Sequence, residues 1–342
     1  MAVTAFYENK TILVTGAAGS VGTELVRTLL EFNPRNLVLV DNNEGGLYDL
    51  EQDLRSSELS TFVADIRDKE RIEPLFKGVD LVFHLAGLKN LPMCEHNPYE
   101  AIKTNIVGTK NVIDACLRGS VEKAIFTSTG KAVKPTTAYG ASKLLAERLL
   151  AIANTKHKDQ ETRFASVRFG NVLGSRGSFI PLFKRQIAEG GPVTITHEDM
   201  VRPAIFMSQA LKLITRAGAL AYGGEVFILK MRLLRILEVA TVMIRELAPK
   251  YGYECEAIKT DMIGIKAGEK LREELMTESE QQRAYETDEM FIIAPELKEL
   301  AHVREFYREL ASRGEIKPYT SSNAVFANST DIKRLLLSLG YL

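Results

Sequence analysis

The chain has 342 residues, 45% hydrophobic and 26% charged; that length fits a nucleotide-binding domain plus a smaller lobe with a cleft between them, and the composition is far from the disordered range. Forty-four Lys and Arg balance forty-four Asp and Glu, which excludes a global positive field for nucleic acid or an anionic membrane, so an anionic ligand must be gripped locally. The three cysteines, Cys94, Cys116 and Cys255, have neither disulfide-framework nor metal-cage spacing, and with no basic-then-apolar leader and no run of roughly eighteen uncharged apolar residues, a cytoplasmic protein without membrane insertion is expected.

In chain order, short β-branched runs alternate with helical patterns: TILVT, LVLVD, STFVAD, LVFHLAG, AIFTST and ASVRF. The segments between them are long enough for crossover helices, so the rhythm predicts an α/β fold with a Rossmann-type, doubly wound parallel sheet. Between LVFHLAG and AIFTST, the run EAIKTNIVGTKNVIDACL has apolar residues at three- and four-residue spacing and reads as an amphipathic helix packed on the sheet. From about residue 175 the pattern loosens into Gly- and Pro-containing turns between single helices and short strands. This predicts a dinucleotide-binding domain over 1–174 and a mixed α/β substrate-binding lobe over 175–342, with later segments returning to the first domain. Helices are expected over RILEVATVMIREL and PELKELAHVREFYREL, the second with a charged, solvated face.

The first strand runs into Gly16-Ala17-Ala18-Gly19-Ser20-Val21-Gly22 and then a helical pattern. Glycines there permit a tight turn and close approach of backbone to a pyrophosphate, which the N–H groups and dipole of the following helix favour. Asp41 ends the second strand nineteen residues past Gly22, where a carboxylate can accept from the adenosine ribose hydroxyls and repels a 2′-phosphate. NAD is therefore expected over NADP, which stays possible. Asp65 and Ile66, after the third strand, are expected to contact the adenine, and Ala86 lies beside the cofactor after the fourth.

The stretch Thr127-Ser128-Thr129-Gly130-Lys131 ends a strand and is followed by Tyr139-Gly-Ala-Ser-Lys143. Tyr139 and Lys143, four apart, share a helical face. An ammonium beside a phenol favours the phenolate, so Tyr139 is the expected base, with Ser128 or Thr129 bonding the same substrate oxygen. His84, inside an apolar strand, reads as a packed core histidine. No His, Asp and Glu cluster has ligand spacing, so no metal is expected.

At these residues the sequence resembles the extended short-chain dehydrogenase/reductases, and within them the C5-inverting 4,6-dehydratases that act on UDP-N-acetylglucosamine. The resemblance spans nearly the whole chain and rests on NKTILVTGAAGSVG, HLAGLKNLP, HNPYEAIKTNIVGTKNV, STGKAVKP before YGASK, RFGNVLGSRGSFIPLF and IGIKAGEKLREELMTE. It implies a UDP-sugar substrate, a homo-oligomer and a role in surface polysaccharide or glycan precursor synthesis. It also implies that hydride leaves sugar C4 for the oxidised cofactor, a lysine at the position of Lys131 removes the C5 proton, an acid at the next position upstream helps the C6 hydroxyl leave, and hydride returns to C6.

Here that acid, an Asp in the family, is Gly130, which has no proton to give. Three readings remain: a dehydratase using Thr129, protonated Lys131 or water as the acid; an epimerase at C4 or a carbon beside the ketone; or a change made to trap a complex. The resemblance further implies substrate contacts from Lys89, Asn171, Arg176, Arg202, Lys266 and Glu269, where arginine suits phosphate and a carboxylate suits ribose hydroxyls. A catalytically silent nucleotide-sugar sensor is the rival from another class; the set Tyr139, Lys143 and Lys131 counts against it.

Overall fold

The computed structural model describes residues 3–156, 162–174, 178–266, 268–314, 317–318 and 326–342. The chain divides into two compact units of interleaved segments, one made of 1–168, 208–230 and 275–320 and the other of 169–207, 231–274 and 321–342. The segments 208–230 and 275–320 are those that return to the first unit.

The first unit is built on the β-branched runs. Strands β1 (Thr11–Thr15), β2 (Asn36–Asp41), β3 (Leu59–Val63), β4 (Leu81–His84), β5 (Lys123–Thr129) and β6 (Arg163–Phe169) lie in the spatial order β3-β2-β1-β4-β5-β6. β1 pairs in parallel with both β2 and β4, and every residue of β1 is buried, as expected of a strand covered on both faces. This order reverses direction between β1 and β4, the switch point at which open α/β sheets bind ligands beyond their strand C-termini. Past β6 the sheet continues with 226–229, parallel to β6, and then with antiparallel 290–293 and 284–286.

Helix Ser20–Leu30 crosses from β1 to β2 and buries Gly22, Leu25, Val26 and Leu29 at helical spacing. The helix expected over residues 100–117 is instead three pieces: an α turn at Pro98–Ala101, π-type turns over Ile102–Gly108 and an α-helix at Thr109–Arg118. The wider winding turns Asn105 inward, where its side chain is fully bonded, and π segments commonly occur at functional sites for this reason. The charged helix near the C-terminus spans Ala301–Ser312, after a 3-10 turn at Lys298–Leu300, and buries only Val303 and Tyr307.

The second unit is a smaller mixed α/β body. Helices Phe179–Ala188, Ile236–Leu247 and Ser329–Ser338 enclose a core that includes Ile180, Phe183, Val239, Met243 and Leu336. It has a three-stranded sheet of 232–235, 201–205 and 171–172, and a two-stranded one of 260–262 and 193–195.

One buried polar cluster in the first unit pins β6 to the helix Ala138–Lys156. Arg168, only 2% exposed, donates from Nε and Nη2 to both oxygens of Glu147 at 2.8 and 2.6 Å. Its remaining donors go to Glu280 at 2.8 and 3.0 Å and to the Leu275 carbonyl at 3.2 Å. Removing the cation strands two buried carboxylates, so Arg168→Met is expected to cost about 3–5 kcal/mol of unfolding free energy, measured by urea denaturation; a loss below about 1 kcal/mol would mean the carboxylates find water instead.

Candidate functional site

The glycine turn is closed to side chains. Gly16 has φ +72°, and a Cβ there would lie 2.6 Å from the Ala86 nitrogen. A Cβ on Gly22 would lie 2.0 Å from the Gly16 carbonyl oxygen. The turn therefore leads straight into helix Ser20–Leu30, whose N-cap is Gly19 with no capping side chain, so the first-turn amides of Ser20, Val21 and Gly22 are suited to an anion. Asp41 ties this loop to β2, accepting from the Ala18 and Asn43 amides at 3.0 Å each. A carboxylate has about four acceptor positions, so Asp41 keeps capacity for ribose hydroxyls.

Asp65, expected at the adenine, is held by a neighbouring arginine. Arg67 grips its carboxylate from Nε and Nη2, at 2.9 and 2.6 Å, and that bond holds the carboxyl below its ordinary range. Ile66 is buried against Gly108, where a Cβ would meet its Cδ1 at 2.7 Å. Ala86 donates to Thr15 Oγ1 at 3.3 Å and closes over Gly16.

At the C-terminal end of β5, Ser128 is buried and its Oγ has no hydrogen-bond partner among the described residues. Thr129 Oγ1 accepts from the Lys131 amide at 3.3 Å and caps the turn Gly130–Ala132. Helix 138–156 lies hard against that turn: a Cβ on Gly140 would be 2.3 Å from the Lys131 carbonyl oxygen. The helix begins with its Ala138 amide donating to Glu95 Oε1 at 2.6 Å. Tyr139 and Lys143 are both buried, and Lys131 is half-buried. Lys143 Nζ donates to the Thr127 carbonyl at 3.1 Å and stands 4.4 Å from the centre of the Phe126 ring. Burial lowers its ammonium to about 8, against the pull of Glu147.

Asn105 is the site residue that sequence reasoning missed. Its amide donates to the Leu88 carbonyl and Ser142 Oγ, at 3.0 and 2.9 Å, and its Oδ1 accepts from the Leu88 amide at 2.8 Å. Ser142 in turn donates to the Tyr139 carbonyl at 2.8 Å. Asn105 thus fixes the loop after β4 to the helix that carries Tyr139 and Lys143. A polar residue on the inward side of an otherwise apolar helical pattern was the available signal.

His84 is a core histidine. Its Nδ1 bonds Thr15 Oγ1 at 2.7 Å and its Nε2 bonds Thr109 Oγ1 at 3.0 Å. Because Thr109 spends its proton on the Asn105 carbonyl, Nε2 carries the imidazole proton and Nδ1 accepts. Burial, with Lys143 nearby, pushes its pKa down to about 3.

Lys89, in the first unit, is exposed after β4. In the second unit Asn171 pairs with Ala204 at the sheet edge, while Arg176 lies outside the described residues. Arg202 is buried and occupied: it donates to Glu269 at 2.9 Å and to the carbonyls of Val201 and Lys270 at 2.9 and 2.8 Å, with Glu273 at 3.4 Å. Glu269 also accepts from the Lys266 amide at 3.2 Å. The expected diphosphate arginine and ribose carboxylate are thus paired with each other, a clamp on the 266–270 segment. Among the described residues no group of three His, Cys, Asp or Glu is placed to hold a metal ion, and no helix is long and apolar enough to cross a membrane.

Residues 12–295 match the family described as Polysaccharide biosynthesis protein. A Methanocaldococcus jannaschii protein described as an uncharacterized membrane protein is 47% identical over 98% of both chains. The UDP-N-acetylglucosamine 4,6-dehydratase (inverting) of Campylobacter jejuni is 37% identical over 85% of each. The UDP-glucose 4-epimerase of Rickettsia typhi is 34% identical over 98% of this chain and 97% of its own. Among solved structures, Pen from Bacillus thuringiensis superposes with a TM-score of 0.88 at 36% identity, covering 97% of this chain and 98% of that one.

Two stability measurements probe these contacts. Ser128 Oγ makes no hydrogen bond among the described residues, so Ser128→Ala should leave the urea midpoint unchanged or raise stability by up to about 1 kcal/mol; a clear loss would reveal a structural partner. His84 is neutral when folded and takes a proton when unfolded, so its contribution is full above pH 6.5 and falls by about 1.4 kcal/mol per unit as pH drops toward about 3. Urea titrations between about pH 7 and 5 should show that slope reduced in His84→Gln; equal slopes would contradict it.

Proposed function

The chain belongs to the Polysaccharide biosynthesis protein family of extended short-chain dehydrogenase/reductases, and from that premise we propose that it is a UDP-N-acetylglucosamine 4,6-dehydratase inverting C5. The observation that carries the reading is Ser128, a buried hydroxyl at the end of β5 without a partner among the described residues, two residues before the turn against which the Tyr139–Lys143 helix is packed. A buried hydroxyl left unbonded by the protein is suited to a substrate oxygen.

The residues present fit a dinucleotide: Gly16 and Gly22 leave no room for a side chain, Gly19, Ser20 and Val21 begin the helix, Asp41 offers acceptors, and Ile66 and Ala86 give apolar walls. Bound there, NAD supplies the reversible oxidation of the sugar C4 alcohol. Tyr139, as phenolate, takes the C4 hydroxyl proton, and the Lys143 ammonium stabilises that phenolate. Ser128 donates to the C4 oxygen. The resulting ketone acidifies C5, and Lys131 removes the C5 proton. With Gly130 unable to give a proton, Lys131 delivers the one it has taken to the departing C6 hydroxyl, which leaves as water. The two electrons taken from C4 would return at C6, and a proton from solvent would add at C5 in place of the one Tyr139 releases, so the sugar loses one water with no net oxidation.

Lys89, Asn171, Arg176 and Lys266 are assigned to the sugar and diphosphate, and Arg202 with Glu269 to shaping the 266–270 segment. The location is read as cytoplasmic and the assembly as a homo-oligomer. A second reading, UDP-sugar epimerisation at C4 or at a carbon beside the ketone, is favoured by Gly130, since an enzyme that stops at the ketone needs no elimination acid, and by the 34% identity to a UDP-glucose 4-epimerase over 98% of the chain.

Incubation with UDP-N-acetylglucosamine and NMR of the product separates the two. The expected product has lost the C6 oxygen, Ser128→Ala slows its formation about 100-fold, and Gly130→Asp speeds it. A product that keeps C6 oxygen with an inverted ring carbon, and no gain from Gly130→Asp, would replace the dehydratase with the epimerase.

A further inference from the structure

Tyr139, Lys143 and Glu147 follow one another at four-residue spacing on helix 138–156, so they share one face, and all three are buried. Below them Glu147 holds Arg168 through two bonds, and Arg168 holds Glu280 through two more. Glu280 is itself fixed by the capping box of the short helix Glu278–Gln281, where it accepts from the Thr277 amide at 2.8 Å. Two carboxylates on one guanidinium leave the triad with one unbalanced negative charge. The buried cation on the same helix face is Lys143, and with it the four groups sum to zero.

Burial of one excess charge is costly unless a partner of opposite sign is near, so the second carboxylate on Arg168 is more than an anchor for β6. The other groups around Lys143 do not supply the balance: His84 is neutral, and burial raises the Cys94 thiol so that it stays protonated. On the far side Arg283 faces Glu280 first and Glu296, at 3.7 Å, second, so it shares in balancing Glu280 and leaves Glu147 to Arg168 and Lys143.

We infer that Glu147, fixed by Arg168 and Glu280, is a positioning residue for proton transfer: its carboxylate holds Lys143 in the ammonium form that makes Tyr139 a base. The catalytic meaning rests on the function proposed above, whereas the electrostatic link does not. Burial alone drives the Lys143 ammonium down, and Glu147 is the foremost influence opposing it. Glu147 touches no reacting atom in this role and acts through Lys143.

The test is the titration of the Lys143 ε-amine in the full chain by 15N NMR, assigned with Lys143→Arg. Glu147→Gln should lower the midpoint by about one to two pH units, the effect of one charge about 6 Å away at an intermediate dielectric. Glu147→Asp should restore most of it. Glu280→Gln, which leaves the catalytic helix unchanged, should shift the midpoint the same way by less, and carries the test if Glu147→Gln does not fold. The alkaline limb of turnover with UDP-N-acetylglucosamine should move with the midpoint in each variant. An unchanged Lys143 midpoint in Glu147→Gln or Glu280→Gln, or a parent Lys143 already neutral at about pH 7, overturns the inference. Normal shifts in a protein that never turns over a UDP-sugar would support the electrostatic link and refute the proposed reaction.

Discussion

The site in the first unit depends on backbone segments approaching more closely than any side chain permits. The Gly16 turn lies against Leu85 and Ala86, Gly22 lies against the Gly16 carbonyl, and Gly140 lies against the Lys131 carbonyl. These contacts draw together the ends of β1, β4 and β5 and the start of helix 138–156, at the strand C-termini beyond which open α/β sheets bind their ligands. A methyl group at any of the three would separate segments whose polar groups are already committed: Asp41 to the loop amides, Asn105 to Leu88 and Ser142, Lys143 to Thr127.

Given that closeness, electrostatics near the site is a matter of burial. His84 stays neutral because burial, with the Lys143 charge nearby, disfavours its imidazolium, and Lys143 keeps its charge only against the cost of desolvation. The same burial leaves the Ser128 hydroxyl without a partner among the described residues, and an unbonded hydroxyl in such a place is a cost to folding.

Much of the first unit was legible in the sequence because its signals are local. The β-branched runs, the glycine turn, Asp41, and the four-residue spacing of Tyr139 and Lys143 each express a constraint that neighbouring residues impose. The features that escaped reading depend on partners far along the chain. Arg168 meets Glu280 across 112 positions, and Arg202 meets Glu269 across 67, so no spacing rule announces either pair. The π winding at 102–108 was hidden because apolar spacing of three and four also fits an unbroken α-helix.

Dehydration and epimerisation through C4 share every step up to the C4 ketone, and that shared step is the one on which the proposed chemistry of this chain rests most firmly. In the proposed reaction Tyr139 would take the hydroxyl proton and NAD, held at the glycine turn, would supply the oxidation. The most direct test is a rapid-mixing measurement of reduced-nicotinamide absorbance when UDP-N-acetylglucosamine meets the NAD-loaded protein and its Tyr139→Phe variant. The predicted result is a transient absorbance in the parent and none in the variant, with cofactor binding equal in both; no transient in the parent, or an equal one in the variant, would contradict it.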